Sequence, residues 1–344
     1  MARVSVDTER TRRDRQPSPR ALRRKARRNR ARLGAWIIAA SALAVIVTAL
    51  AALGSGLGRG AKDTPQAPGL EALPATPGSY VGVYAVGAPG SYAGVAAFTN
   101  ATEIRPRLVV YYSGWQEPFS TSFARTVASH GAVPLVQIDP TDVNVAAIAS
   151  GQYDSYLSAY ARAVRAYGQP VILSFGHEMN AYWYSWGSAS TSPADFVAAW
   201  RHIVTLFRKR DARNVTWMWT VNVIDTQDGI AAPGPWWPGK SYVTWVGLDG
   251  YYLAPSAHFA DLFGPTITAV RELTDQPILI AETSVIPAAG QPEEIPDLFA
   301  GVRKYGLLGL VWFDDVTSYD YRITSPAAIA AFRRAAQAYI RPTP

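Results

Sequence analysis

The chain has no cysteine among its 344 residues. That excludes a disulfide framework, a thiolate metal site and a cysteine nucleophile, and with them the small disulfide-stapled secreted domains. Histidine is scarce, at four residues. The pair His177-Glu178 has no second histidine at the spacing of a zinc-binding helix. His130, His202 and His258 show no partner in the sequence and are read as surface or satisfied core residues. No serine sits in a nucleophile elbow, and Gly87-Ala88-Pro89-Gly90 is a poor phosphate-binding turn. Asp314 and Asp315 lack a third ligand at a recognisable spacing. The chain is therefore expected to use neither metal nor cofactor.

Charge is also sparse, and unevenly placed. Charged residues make up 17% of the chain, and the net charge of +7 arises in the N-terminal tail. Residues 1–32 hold 13 Arg or Lys against 3 Asp or Glu, leaving 20 basic and 23 acidic residues in the remainder. No basic excess outside the tail favours nucleic acid.

What the sequence does have begins with a long uncharged run. Residues 33–57 carry no charge, and at about 1.5 Å per residue they are long enough to cross a hydrocarbon core of roughly 30 Å. Behind an arginine-rich tail this reads as a single-pass membrane anchor, with residues 1–32 cytoplasmic and the rest exterior. A cleaved signal peptide, giving a secreted protein, is the competing reading: Ala49-Leu50-Ala51 is a small-x-small site. Residues 58–78 are rich in Pro, Ala and Gly and read as a tether.

From residue 79 to residue 341, eight short apolar runs alternate with amphipathic segments. The runs are 80–86, 107–114, 132–139, 170–178, 214–222, 242–252, 277–284 and 308–315. Several are apolar throughout, as parallel strands covered on both faces must be. Segments 155–168 and 192–210 have helical periodicity; Ser192-Pro193 forms a cap and first-turn pair, and Arg303-Lys304-Tyr305-Gly306 a helix end. Eight such units over about 265 residues fit a (β/α)8 TIM barrel. An open doubly wound sheet would need the phosphate turn that is missing.

Barrel enzymes place their sites where strands end. Here the fourth run ends at His177-Glu178, the sixth at Asp249-Gly250-Tyr251, the seventh at Glu282 and the eighth at Trp312 to Asp315. Strands four and seven oppose one another in a closed barrel, so Glu178 and Glu282 can converge on one bond. Two facing carboxyls are what glycoside hydrolysis uses. The aromatic residues after Glu178, among them Trp183 and Trp186, suit sugar faces, as does Trp236 in the Pro/Gly-rich loop 225–240. Asn222 and Asp249 are candidate donors or acceptors for sugar hydroxyls, with a structural role an open alternative for each. Trp217 and Trp219 are read as core.

FGHEMNAYWYSWG (175–187), WVGLDGYY (245–252) and PILIAETS (277–284) together resemble glycoside hydrolase family 26, over roughly residues 80–338. The resemblance implies a retaining barrel acting on β-mannan or a related β-glycan, in which Glu178 is acid/base and Glu282 nucleophile. It further implies that His177 shapes the reacting subsite, that Tyr251 holds the nucleophile and that Trp312 is a sugar platform. A phenol on Glu282 is expected to keep that carboxyl ionised. Ser174 and Gln137-Ile138-Asp139-Pro140 depart from the family pattern, which bears on the choice of sugar more than on cleavage. A hydrolase of an exopolysaccharide or of the cell's own surface glycan, and a non-catalytic glycan-binding barrel, are the alternatives. The partners expected are a polysaccharide and the lipid bilayer, the latter through 33–57, with the protein a monomer.

Overall fold

The computed structural model describes residues 73–254, 257–286 and 288–340. The tail, the apolar span and most of the tether lie outside them; among the described residues no helix is long and apolar enough to cross a membrane. Each of the eight apolar runs contains one strand: β1 (Tyr80–Ala85), β2 (Leu108–Gly114), β3 (Val133–Asp139), β4 (Val171–Phe175), β5 (Val215–Asn222), β6 (Trp245–Asp249), β7 (Ile278–Thr283) and β8 (Gly309–Asp314). They close in sequence order into a parallel barrel, and β1 meets β8 over its whole length, from Tyr80 beside Gly309 to Ala85 beside Asp314.

The helices are α1 (Ala93–Thr102), α2 (Thr121–Ser129), α3 (Val145–Ala149), α4 (Asp154–Tyr167), α5 (Pro193–Lys209), α6 (Phe259–Arg271), α7 (Gln291–Lys304) and α8 (Pro326–Tyr339). The Ser192 hydroxyl accepts from the Asp195 amide at 3.1 Å and Pro193 fills the first turn of α5, so that end is capped as the sequence suggests. One unit departs from the regular β/α count. The connection from β5 to β6 has no α-helix, only a 3-10 turn at Gly234–Trp236. Pro233, Pro235 and Pro238 remove the amide donors that a longer helix there would need.

Two apolar layers result. Between strands and helices lies a continuous core containing Phe175, Phe196, Trp200, Trp217, Trp219 and Phe332. Inside the barrel, Leu108, Val110, Leu135, Ile172, Met218 and Leu279 fill the half nearest the strand starts, with Tyr80 against Trp245 at 5.2 Å. The other half of the interior is polar and holds the site.

Candidate active site

Glu178 is delivered by a strained turn. β4 stops at Phe175, and Gly176 (φ 54°) and Glu178 (φ 55°) both take left-handed backbone. A Cβ on Gly176 would also lie 3.0 Å from the Phe196 ring and 3.2 Å from Trp186. Left-handed backbone at a residue with a side chain is costly and persists where its surroundings fix it. The Glu178 amide donates to the Thr220 carbonyl at 3.0 Å. The carboxyl is held at both oxygens: the Trp183 indole N–H donates to Oε2 at 2.8 Å, and the Asn222 amide nitrogen donates to Oε1.

Glu282 reaches the interior through a bulge. Leu279 and Ala281 point into the barrel, so simple alternation would turn Glu282 outward. The register of β7 shifts against both neighbours: Leu248 pairs with Ile280 but Asp249 with Glu282, and Ile280 pairs with Leu310 but Thr283 with Trp312. One extra residue in β7 re-aims the carboxyl inward, a use of bulges common beside active sites. Two phenols then hold it, Tyr251 donating to Oε1 and Tyr112 to Oε2. Burial and the neighbouring Glu282 charge push both phenols well above their ordinary values, so they stay protonated donors.

The ionisation expected for Glu282 needs correction. Burial raises its pKa, the Glu178 charge raises it further, and His177 with the two phenols only partly offsets this. Tyr112 was not among the residues singled out from sequence. Its signal is parity: in LVVYY, Leu108, Val110 and Tyr112 share one face, and the first two fill the barrel.

A buried ion pair flanks the carboxylates. His177 Nδ1 lies 3.0 Å from Asp139 Oδ1, and Nε2 lies 3.2 Å from the Tyr184 hydroxyl. Burial alone would lower the imidazole pKa; the Asp139 carboxylate overrides it and lifts the value to about 9. Asp139, seen in the sequence only as a departure from pattern, thus keeps a cation in the site. Asp249 lies fully buried beside these groups, and neither of its oxygens has a hydrogen-bond partner. Burial, and then the charges of Glu282, Glu178 and Asp139, push its pKa well above the carboxylate range.

Several of the proposed sugar contacts are placed elsewhere. Trp312 points outward, fully buried, with its ring edge-on to Phe332 of α8 at 5.6 Å and its N–H on the Tyr321 carbonyl. The inward aromatic ring of β8 is Phe313, stacked on Tyr84 at 4.7 Å. Trp186 is buried against Tyr184, with centroids 4.3 Å apart and planes 7° apart, and it donates to the His177 carbonyl, so it braces the turn from behind. Trp236 is buried in the outer core. Asn222 and Asp249 are fully buried, and Asn222 serves Glu178. Trp183, half-buried, keeps a ring at the mouth beside Tyr182. Tyr251 donates to Glu282, and His177 lies close enough to Glu178 and Glu282 for their charges to raise its pKa.

The family model described as Glycosyl hydrolase family 26 matches residues 144–307. Endoglucanase H of Acetivibrio thermocellus is 29% identical over 267 residues, covering 73% of this chain and 29% of that protein. Beta-1,3-xylanase TXYA of a Vibrio species is 31% identical over 110 residues, 31% of this chain and 22% of that protein. The chain thus spans under a third of the length of these curated relatives. Among solved structures, a GH26 beta-mannanase from Bacteroides ovatus superposes with a TM-score of 0.61 at 14% identity, covering 76% of this chain and 89% of that one. The barrel and these matches make the chain similar to the glycosyl hydrolases. Within them the likeness is to family 26, whose model matches a little under half of the chain.

Proposed function

We propose that the barrel hydrolyses β-linked polysaccharide, β-mannan or a related β-glycan, with retention of configuration, outside the cell. The observation that carries this is the pairing of two buried carboxyls from opposing strands, each held at both oxygens by donors from other elements. Such clamping fixes the reacting atoms before substrate arrives. A Glu282 oxygen attacks the anomeric carbon as the glycosidic C–O bond breaks, and Glu178 gives its proton to the departing oxygen. Water then attacks the same carbon, loses a proton to Glu178 and releases Glu282. The imidazolium of His177 and the two phenols favour the charged form of Glu282 against burial, which suits the attacking role.

The named relatives include an endoglucanase, a xylanase and a mannanase, so three substrates form the test. The full chain is incubated with β-mannan, mixed-linkage β-glucan and β-1,3-xylan, and products and their first-formed anomer are read by chromatography and NMR. Release of β-anomers from one of them supports the proposal. Inverted product rejects retention, and binding without cleavage of any of the three favours a glycan-binding barrel. Anchorage through residues 33–57 belongs to the same proposal, supported by the uncharged run behind a basic tail. Protease added to intact cells should reach the barrel; a protected barrel reverses the topology, and a chain released to the medium makes it secreted.

A further inference from the structure

Beyond the tail the charges nearly cancel, but they are sorted by end. In this fold helix C-termini and strand starts share one end of the barrel, and strand ends share the other. At the strand-start end, α4 closes with Arg165 and α5 with Arg208 and Lys209, followed by Arg210 and Arg213. Hydrogen bonds carry this surface around the rim. Arg208 donates to the Ser241 carbonyl at 2.6 Å, next to Lys240; Arg271 donates to the Gln276 carbonyl at 2.7 Å. These seven cations are all exposed, and three carboxylates, Asp211, Glu272 and Asp275, stand among them. Cations in a last helical turn have a local use, offsetting the negative pole of the helix. That does not account for Lys240, which lies in no helix, or for Arg213, which lies beyond α5 and shares the single carboxylate of Asp211 with Arg165. At the mouth the order is reversed: the loops after the strand ends carry Asp142, Asp225, Asp228, Asp315 and Asp320, with Arg322 paired to Asp320 at 2.8 Å.

The chain arrives at the same basic end. Leu73 packs against the lower barrel core, and the Gly78 amide donates to the Tyr339 hydroxyl at 3.1 Å just before β1. Only residues 58–72 separate this point from the uncharged run, and fully extended they reach about 50 Å. We propose that the strand-start face docks on the phosphate headgroups of the bilayer carrying the chain, so that the acidic cleft faces away from it. This rests on the anchorage reading above; charge complementarity and the short tether both select a lipid surface as the occupant. A basic face tethered within reach of lipid phosphates meets them at high effective concentration.

The cysteine-free chain accepts a single dye through Gln169→Cys in the exposed turn before β4, or Ala232→Cys near the mouth. The full chain is reconstituted in phosphatidylcholine vesicles, with or without phosphatidylglycerol, that carry a lipid acceptor dye. Energy transfer from position 169 should rise with phosphatidylglycerol and fall with salt, while transfer from position 232 stays low. A cation near an anionic surface shifts the docked-to-free ratio about fivefold, so Lys209→Glu, Arg213→Glu and Lys240→Glu together should lower it by about a hundredfold or more. Equal transfer from position 169 in both lipids, or a charge-reversed chain that behaves like its parent, overturns the proposal. Flotation with neutral vesicles reads anchorage separately: a chain that fails to float rejects the span, while transfer on anionic vesicles still decides the docking face.

Discussion

The lower half of the barrel interior is hydrocarbon, and the upper half, one pleat step along the same strands, is polar. Val110 is followed two residues on by Tyr112, Leu135 by Gln137, Ile172 by Ser174 and Met218 by Thr220. These four strands spend their first inward positions on the core and their last on the polar half. The lower half holds the fold together through apolar area removed from water. The upper half gathers four buried acids, Asp139, Glu178, Asp249 and Glu282, around one imidazole, an arrangement that only function rewards. The two halves should therefore fail in opposite ways.

The sharpest separation comes from the carboxylates. Glu282→Ala should lower kcat by at least about a thousandfold, because the covalent route loses its nucleophile, while the melting temperature holds or rises. Turnover equal to the parent would remove the nucleophile assignment. Leu135→Ala should do the reverse. It opens a cavity in the lower core and costs about 2–5 kcal/mol of stability in denaturant unfolding, with kcat per folded molecule unchanged. A large kcat loss at full folding would mean that the two halves are not independent.

Tyr112→Phe tests a contact between the halves, since Tyr112 packs on the lower core while its hydroxyl serves Glu282. Losing one of two phenols should reduce kcat by about 10- to 100-fold, as a hydrogen bond to a charged group contributes roughly 1.5–3 kcal/mol. Because that donor lowers the Glu282 pKa, the acid limb of the kcat/KM profile should move to higher pH. A purely structural tyrosine would leave that limb in place.

The strands were legible because each is an apolar run between turn residues. What was hidden is which residue of each run faces inward. In a sheet covered on both faces the outward positions are as apolar as the inward ones, so Phe313 and Trp312, or Tyr112 and Tyr111, cannot be told apart by polarity. The platform role that the resemblance implies for Trp312 therefore meets no check in the strand's own pattern, and the structure turns that ring outward. Glu282 is marked by its place at the end of its strand although its parity is wrong, since the bulge that corrects it leaves no mark in ILIAETS. The absence of a helix between β5 and β6 has a signal, three prolines within six residues, in the segment read as the Pro/Gly-rich loop 225–240. Asp139 could be valued only once its distance to His177 was known.

Asp249 gives the smallest effect and the finest test of the contrast, because it is a polar-half residue whose removal should strengthen the fold. Its pKa is raised in the folded protein above the ordinary carboxylate value of 3.8. A carboxyl shifted upward favours the folded state fully below its unfolded pKa, and that contribution is lost as pH rises towards the folded pKa. At neutral pH the protein must therefore either protonate Asp249 against solution or bury its charge without a hydrogen-bond partner. Asp249→Asn removes that choice with nearly the same shape. The variant should be more stable by about 1–2 kcal/mol at pH 7, and the gain should shrink towards zero near pH 4. Urea unfolding of parent and variant across that range reads both. A variant less stable than the parent at pH 7 would show that the Asp249 charge is held by partners, and that the polar half stabilises the fold as the apolar half does.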